Sequence, residues 1–282
     1  MKKSNLKIIV IVGTTASGKS EYAKKLAKKI NGEIISADSR QIYRGLDIGT
    51  AKIKGQFCTD IADPKKPMSV AEWKKCAEEA IAKIYQNGKI PILVGGTGFY
   101  IRAVVDGIVL PEVPPNQKLR KIREKKSLES LLKILDKKDK ARGKTVDRKN
   151  KRRVIRALEI IEALGKVPRL RARKIYDAKF FGMKRTPEEL KKRIEKRTRE
   201  MVKKGLIREV GKLRKSGLTQ KRFNELGFEY KYPALYLEKK ISKKEMTEAI
   251  NKETINYTRR QMLWWKRDKR IKWVKDSSRK SL

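Results

Sequence analysis

At 282 residues the chain has room for one large domain, or for a core domain carrying an insertion. It is 39% hydrophobic, carries a formal charge of +43, and contains two cysteines and no histidine. That excludes His-based triads, His general bases and His metal ligands. Cys58 and Cys76 alone cannot complete a four-ligand zinc site, so acid–base chemistry falls to Asp, Glu, Lys, Tyr or water.

No apolar run approaches the roughly 18 residues of a membrane span. A disulfide between Cys58 and Cys76 is not expected in a reducing compartment. The positive charge is unevenly spread: residues 1–112 hold 19 Lys/Arg against 11 Asp/Glu, whereas residues 117–176 hold 23 against 7. Solvated lysine-rich faces account for part of this. The steep rise in one segment points to a polyanion, and nucleic acid is favoured because neutralising many phosphates releases counterions.

In chain order, an apolar run at 8–12 predicts a buried strand and ends in Gly13-Thr14-Thr15-Ala16-Ser17-Gly18-Lys19-Ser20. Ala23, Leu26, Ala27 and Ile30 follow at helical spacing. Strand, glycine-rich turn and helix together make this a phosphate-binding loop: its backbone N–H groups and the helix N-terminus face an anion. Lys19 adds a mobile positive charge, and the Ser20 hydroxyl suits Mg²⁺. Met1-Lys2-Lys3 and the short apolar run resemble a leader. Cleavage there would destroy the loop, so the chain is read as cytoplasmic.

A second strand, 33–36, ends in Ala37-Asp38-Ser39. The carboxyl ends of parallel strands face the ligand crevice, which places Asp38 beside the loop, either as a functional carboxylate or as a cap. Ser69-Val70-Ala71-Glu72 is a capping box opening a helix with Trp73, Ala77, Ile81 and Ile84 on one face. A buried strand at 90–94 runs into Gly95-Gly96-Thr97-Gly98-Phe99-Tyr100 and lacks the terminal Asp of an ordinary nucleotide-hydrolysing site. Thr97 reads equally as a functional hydroxyl or as a helix cap.

Pro111, Pro114 and Pro115 mark a composition break. From 116 to 176 the pattern is helical, highly charged and poor in strand formers. Val154, Leu158 and Ile161 share one face of a helix from which Arg152, Arg153 and Arg156 point elsewhere. A short strand is expected at 180–183, and Thr186-Pro187-Glu188-Glu189 opens a long helix. Residues 224–228 are expected to form a turn between helices. Ser242 caps a last helix reaching Trp264 and Trp265, and a last strand is expected at 271–274. The fold class expected is α/β: a P-loop parallel sheet flanked by helices (1–112 and 178–282) with an all-helical insertion (113–177).

Placed in this order, the motifs resemble the tRNA isopentenyltransferase family. The segments that carry the likeness are the phosphate loop, Ser36-Ala37-Asp38-Ser39-Arg40-Gln41-Ile42-Tyr43, Asp47-Ile48-Gly49-Thr50-Ala51-Lys52, and Val94-Gly95-Gly96-Thr97-Gly98-Phe99-Tyr100. Arg152-Arg153-Val154-Ile155-Arg156 and Arg259-Arg260-Gln261-Met262-Leu263-Trp264 complete it.

The resemblance implies transfer of a dimethylallyl group from dimethylallyl diphosphate, with Mg²⁺, to N6 of adenosine 37, 3′ of the anticodon in tRNA. It implies Asp38 and Thr97 as catalytic residues, and residues 13–20 as the diphosphate cradle. Asp38, Ser39, Arg40 and Gln41, together with Arg152, Arg153, Val154, Ile155 and Arg156, become the tRNA-contacting stretches. A monomer is expected.

Three segments depart from the family pattern. Gly55-Gln56-Phe57-Cys58-Thr59-Asp60 stands for Pro-His-His-Leu-(Ile/Leu)-Asp, Asn224 for Gln or Arg, and Gly227-Phe228-Glu229-Tyr230 for Gly-Tyr-Lys-Glu. The competing readings are an adenylate isopentenyltransferase acting on a free nucleotide, a small-molecule P-loop kinase and a non-catalytic RNA-binding module.

Overall fold

A computed structural model describes residues 6–169, 172–173 and 175–274. Met1, Lys2 and Lys3, where a leader was considered, lie outside the described residues. The chain divides into two compact units, Met1–Gly107 with Arg173–Leu282, and Ile108–Ala172.

The first unit is built on five parallel strands: β1 (Leu6–Gly13), β2 (Gly32–Ser36), β3 (Ile90–Gly95), β4 (Tyr176–Met183) and β5 (Ile271–Val274). Their order is β2-β3-β1-β4-β5. β1 is central, with Val10 opposite Leu93 on one side and Phe180 on the other. Ile8, Val10 and Val12 enter the core on one face while Ile11 packs with Met183 and Val94 on the other. Burial on both faces explains why these strands read as apolar runs instead of alternating patterns. β4 begins four residues before the expected strand. Its first half carries exposed Asp177 and Lys179, which hid it in the sequence.

Helices α1 (Lys19–Lys29), α2 (Val70–Gln86) and α3 (Gly98–Val105) follow β1, the loop after β2, and β3. The expected capping box of α2 is present: the Glu72 N–H donates to Ser69 Oγ (3.2 Å) and the Ser69 N–H to Glu72 Oε2 (2.7 Å). Trp73 is fully buried and stacks on Tyr100 at 4.4 Å. Its indole N–H donates to the Ser36 carbonyl (3.1 Å), so one side chain both fills the core and fixes the end of β2.

The second unit holds α4 (Gln117–Glu124), α5 (Leu128–Lys138), α6 (Lys140–Thr145) and α7 (Lys151–Leu164). Asn116, Ser127, Asp139 and Asn150 cap them by accepting N–H bonds from Leu119, Ser130, Arg142 and Arg153. Leu131, Leu135, Val154, Leu158 and Ile161 form its own small core. Glu159 is buried beneath it and accepts two Arg120 guanidinium bonds (both 2.9 Å), one from Arg156 and the Asn116 N–H (2.6 Å). Burial pushes its carboxyl up, but Arg120 and Arg156 outweigh that and hold it below the usual range. The first unit is closed around the gap in its sequence by the Arg173 N–H donating to the Asp106 carbonyl (2.8 Å).

The remaining helices belong to the first unit: α8 (Pro187–Lys203), α9 (Leu206–Lys215), α10 (Gln220–Leu226), α11 (Phe228–Leu237) and α12 (Lys243–Trp265). Thr186 caps α8 with Pro187 in its first turn, and Ser242 caps α12 through a second box with Glu245. The turn expected over 224–228 is narrower. Asn224, Glu225 and Leu226 continue α10, and Gly227 alone (φ 113°) makes the break.

Candidate active site

The loop between β1 and α1 turns at Gly13 (φ 147°), where a Cβ would lie 2.9 Å from the Met183 carbonyl. α1 starts at Gly18 without a side-chain cap, so the helix N-terminus presents its N–H groups to the adjacent cleft. Thr15, Ala16, Gly18, Lys19 and Ser20 line that cleft, of about 740 Å³, while Gly13, Thr14 and Ser17 are buried behind them.

Three side chains from distant segments and the loop's own Lys19 hold the loop. Arg185 Nε donates to the Ser17 carbonyl (3.0 Å) and Arg193 Nε to the Ala16 carbonyl (2.8 Å). Gln261 Oε1 accepts the Thr15 N–H (2.8 Å) while its amide donates to Gly96 (3.3 Å). Lys19 Nζ donates to the Thr14 carbonyl (3.1 Å). Ala16 itself sits at φ 63°, a left-handed conformation costing an L-residue on the order of 1–2 kcal/mol. Arg193 stabilises that arrangement.

Asp38 lines the same cleft. The turn carrying it is bolted to the β3–α3 junction. The Ala37 N–H donates to Val94 (2.7 Å), the Thr97 N–H to Ala37 (3.4 Å) and the Ser39 N–H to Thr97 Oγ1 (3.4 Å). Asp38 Oδ1 accepts the Arg40 N–H (2.8 Å), which aims the carboxyl. Thr97 stands at the N-cap position of α3 without making a side-chain cap bond and does not line the cleft; its hydroxyl holds the Asp38 turn. Ser39, Arg40 and Gln41 do line it, and Gln41 links the Ser36 hydroxyl (2.6 Å) to the Thr50 carbonyl (3.0 Å).

Electrostatically, Lys19 and Asp38 face one another. Burial pushes the Lys19 ammonium down to about 8; the Asp38 carboxylate opposes that shift and the Arg197 guanidinium adds to it. Arg193, Lys196 and Arg197 bring the α8 face into the cleft; Glu229 and Tyr257 come from α11 and α12. Arg197 donates to the Gly49 carbonyl (3.0 Å) and to Glu229 Oε1 (3.4 Å). Burial pushes the Glu229 carboxyl up, and Arg197 pulls against it. Tyr257 is pushed up to about 12 by burial and by Asp38.

A family model described as IPP transferase matches residues 41–268, and a second, described as Isopentenyl transferase, matches residues 6–56. The chain belongs to the IPP transferase family. A tRNA dimethylallyltransferase of Syntrophomonas wolfei is 39% identical over 95% of this chain and 91% of its own. Among solved structures, the tRNA isopentenylpyrophosphate transferase of Bacillus halodurans matches with a TM-score of 0.70 at 33% identity, covering 95% of this chain and 89% of that one. A eukaryotic dimethylallyltransferase captured acting on tRNA matches with a TM-score of 0.82 at 26% identity, covering 97% and 75%.

Set in this IPP transferase framework, the three departures fall in different places. Gln56 lines the cleft and Cys58, two positions on, is buried. Asn224 does not line the cleft; its side chain accepts from Gln220 (3.1 Å). Tyr230 is buried and donates to Glu209 Oε1 (3.0 Å), and Glu209 in turn accepts the N–H groups of Asp47 (3.1 Å), Ile48 (2.7 Å) and Gly49 (3.2 Å).

Within the second unit, Arg152 and Arg153 are exposed on α7, and Arg156 donates to the Val113 carbonyl (2.7 Å). Val154 and Ile155 are buried in that unit's own core, so their side chains offer nothing to a ligand. Sequence reading missed Arg193, Arg197 and Glu209, and it named Gln261 only as part of the last helix without its contact to the loop. Arg193 and Arg197 are one helical turn apart, a signal lost among 75 Lys and Arg residues.

Proposed function

We propose that the chain transfers a dimethylallyl group from dimethylallyl diphosphate to N6 of adenosine 37 in tRNA, releasing diphosphate. The observation that carries this reading is a cationic phosphate loop and an acidic side chain, Asp38, lining one cleft close enough for the carboxylate to act on the Lys19 ammonium. A kinase needs a carboxylate at the end of β3 for its metal, and that position is Gly95.

The adenine amino nitrogen is a poor nucleophile because its lone pair is delocalised into the ring. As the new C–N bond forms at the allylic carbon and the C–O bond to diphosphate breaks, the Asp38 carboxylate accepts the N6 proton, a contribution of about 10² to 10⁴ in rate. Lys19, the loop N–H groups and the Arg197 guanidinium stabilise the charge gathering on the departing diphosphate. The base is unstacked from its loop to reach the cleft, and holding it in line with the donor supplies further acceleration.

Mg²⁺ fits the residues present. The Ser20 hydroxyl lines the cleft, and among the described residues no group of three or more His, Cys, Asp or Glu forms an all-protein cage. Ser20 would hold the ion together with substrate phosphate oxygens and water. When bound it neutralises diphosphate charge.

The exposed Arg152 and Arg153 of the second unit are assigned to the tRNA backbone, with Arg40 and Gln41 nearer the base. Among the described residues no helix is long and apolar enough to cross a membrane, and the proposed reading is of a monomer acting on tRNA in the cytoplasm. The deciding experiment incubates the protein with unmodified tRNA and labelled donor, followed by nucleoside analysis. Label in N6-dimethylallyladenosine next to the anticodon supports the reading; faster labelling of free AMP, or none of tRNA, overturns it.

A further inference from the structure

Glu229 stands in the first turn of α11, where the helix N-terminus favours an acid whatever its orientation. Its side chain is turned into the cleft that Lys19, Ser20 and Asp38 also line. There Glu229 Oε1 accepts from the Arg197 guanidinium (3.4 Å), with the two side chains only 15% and 19% exposed. A Cβ on Gly227 would lie 3.8 Å from Glu229 Oε2 and 3.6 Å from Arg40 Nε, which puts the second oxygen on the side of Arg40. Arg197 also adds to the downward shift of Lys19, so the guanidinium that Glu229 holds is within electrostatic reach of the phosphate loop.

We propose, resting on the transfer reading above, that Glu229 competes with bound diphosphate for Arg197 and thereby sets how tightly the diphosphate is held and how fast it leaves. Position is secured elsewhere: Arg197 donates to the Gly49 carbonyl at 3.0 Å, a shorter bond than the one to Glu229 at 3.4 Å. What Glu229 contributes is negative charge. Beside a bound diphosphate, a carboxylate in a site with little water is a like-charge neighbour, and it weakens the binding.

Lys19, Arg193, Lys196 and Arg197 line the cleft and attract the diphosphate before, during and after bond breaking. The share of that attraction common to donor and product does not speed the transfer, and it slows release. Glu229 takes back the Arg197 guanidinium as the product departs. The family pattern has lysine at this position, and a cation there acts with the opposite sign, adding to the hold on the diphosphate.

The test measures the affinity of inorganic diphosphate by calorimetry at fixed pH and free Mg²⁺, and its dissociation rate by chasing labelled with unlabelled diphosphate. Glu229→Gln keeps the shape and an acceptor for Arg197 but loses the charge. Diphosphate is expected to bind it roughly fivefold tighter and to leave correspondingly more slowly. Glu229→Ala is expected to tighten binding as well, and Glu229→Lys to tighten it further. In an Arg197→Ala background the Glu229→Gln change is expected to have a smaller effect. A purely structural Glu229 predicts the reverse sign, with weaker binding in both Glu229→Gln and Glu229→Ala. Weaker or unchanged binding in Glu229→Gln, or an undiminished gain without Arg197, would overturn the proposal. Diphosphate behaving as expected while tRNA takes up no label leaves the competition for Arg197 standing and removes the transfer reading alone. A native chain that binds no diphosphate overturns both.

Discussion

Lys19 supplies a quantitative test of the cradle. Its ammonium is buried and sits at about 8 in place of 10.5, so in the free protein it loses its charge as pH rises through the range where assays are run. A bound diphosphate is an adjacent polyanion and raises that value again. Between pH 7 and pH 9 the charged fraction falls from about nine-tenths to about one-tenth, so donor affinity is expected to weaken roughly tenfold, about 1.4 kcal/mol.

The stability sign is the opposite. The folded value lies below the unfolded one, so the unfolded chain binds more protons between pH 8 and 10.5, and this group's contribution to folding stability rises with pH across that window. The assay is the dissociation constant of dimethylallyl diphosphate by calorimetry at fixed free Mg²⁺, from pH 6.5 to 9.5. Lys19→Arg, which stays charged throughout, is expected to flatten the profile. Affinity unchanged across that range in the native chain, or a slope that survives in Lys19→Arg, would refute the assignment of Lys19 to the diphosphate.

Asp38→Asn keeps the turn's shape but cannot accept the N6 proton; a fall in kcat of at least about a hundredfold with little change in donor affinity is expected in single-turnover assays. Glu209→Ala leaves three backbone N–H groups and the Tyr230 hydroxyl without their acceptor and is expected to cost about 2 kcal/mol by denaturant unfolding, whereas Tyr230→Phe costs about 1 kcal/mol. Arg193→Ala removes the donor that holds the left-handed Ala16, and donor KM is expected to rise about tenfold. Arg153→Ala is expected to weaken tRNA binding without altering donor affinity and to reduce the slope of log K against log salt by roughly one unit.

What was legible in the sequence was punctuation. The phosphate loop, the Ser69 and Ser242 capping boxes, Pro187 and the apolar runs of β1 and β3 each state a local geometry in a few adjacent residues, and each stands where expected. β4 was half read, because its outer residues are polar and only the pairing with β1 keeps them extended. The turn at 224–228 was over-read, because a single glycine at φ 113° suffices where five residues were assigned.

The cleft walls were harder for a different reason. Gln261 contacts Thr15 across 246 positions, and Arg193 reaches Ala16 across 177. Nothing local to either residue records that partner. Val154 and Ile155 show the converse error: a stretch named for its arginines necessarily includes the apolar residues that seat the helix.

The charge distribution has its physical sense at the level of the cleft. Net charge alone pointed to the 117–176 segment, yet the cleft's own cations, Lys19, Arg40, Arg193, Lys196, Arg197 and Arg260, all belong to the other unit. A cleft with only cations would bind diphosphate tightly and release it slowly, and would leave the adenine proton without an acceptor. Asp38 and Glu229 break that uniformity in distinct ways. Asp38 acts on the Lys19 ammonium that burial has weakened, while Glu229 accepts a bond from Arg197. The acidic residue at 229, where the family pattern has lysine, sets a carboxyl against Arg197 on the α11 side of the cleft. In the proposed reaction the loop N–H groups and cations take the departing diphosphate while Asp38 takes the adenine proton, so each developing charge has its own partner.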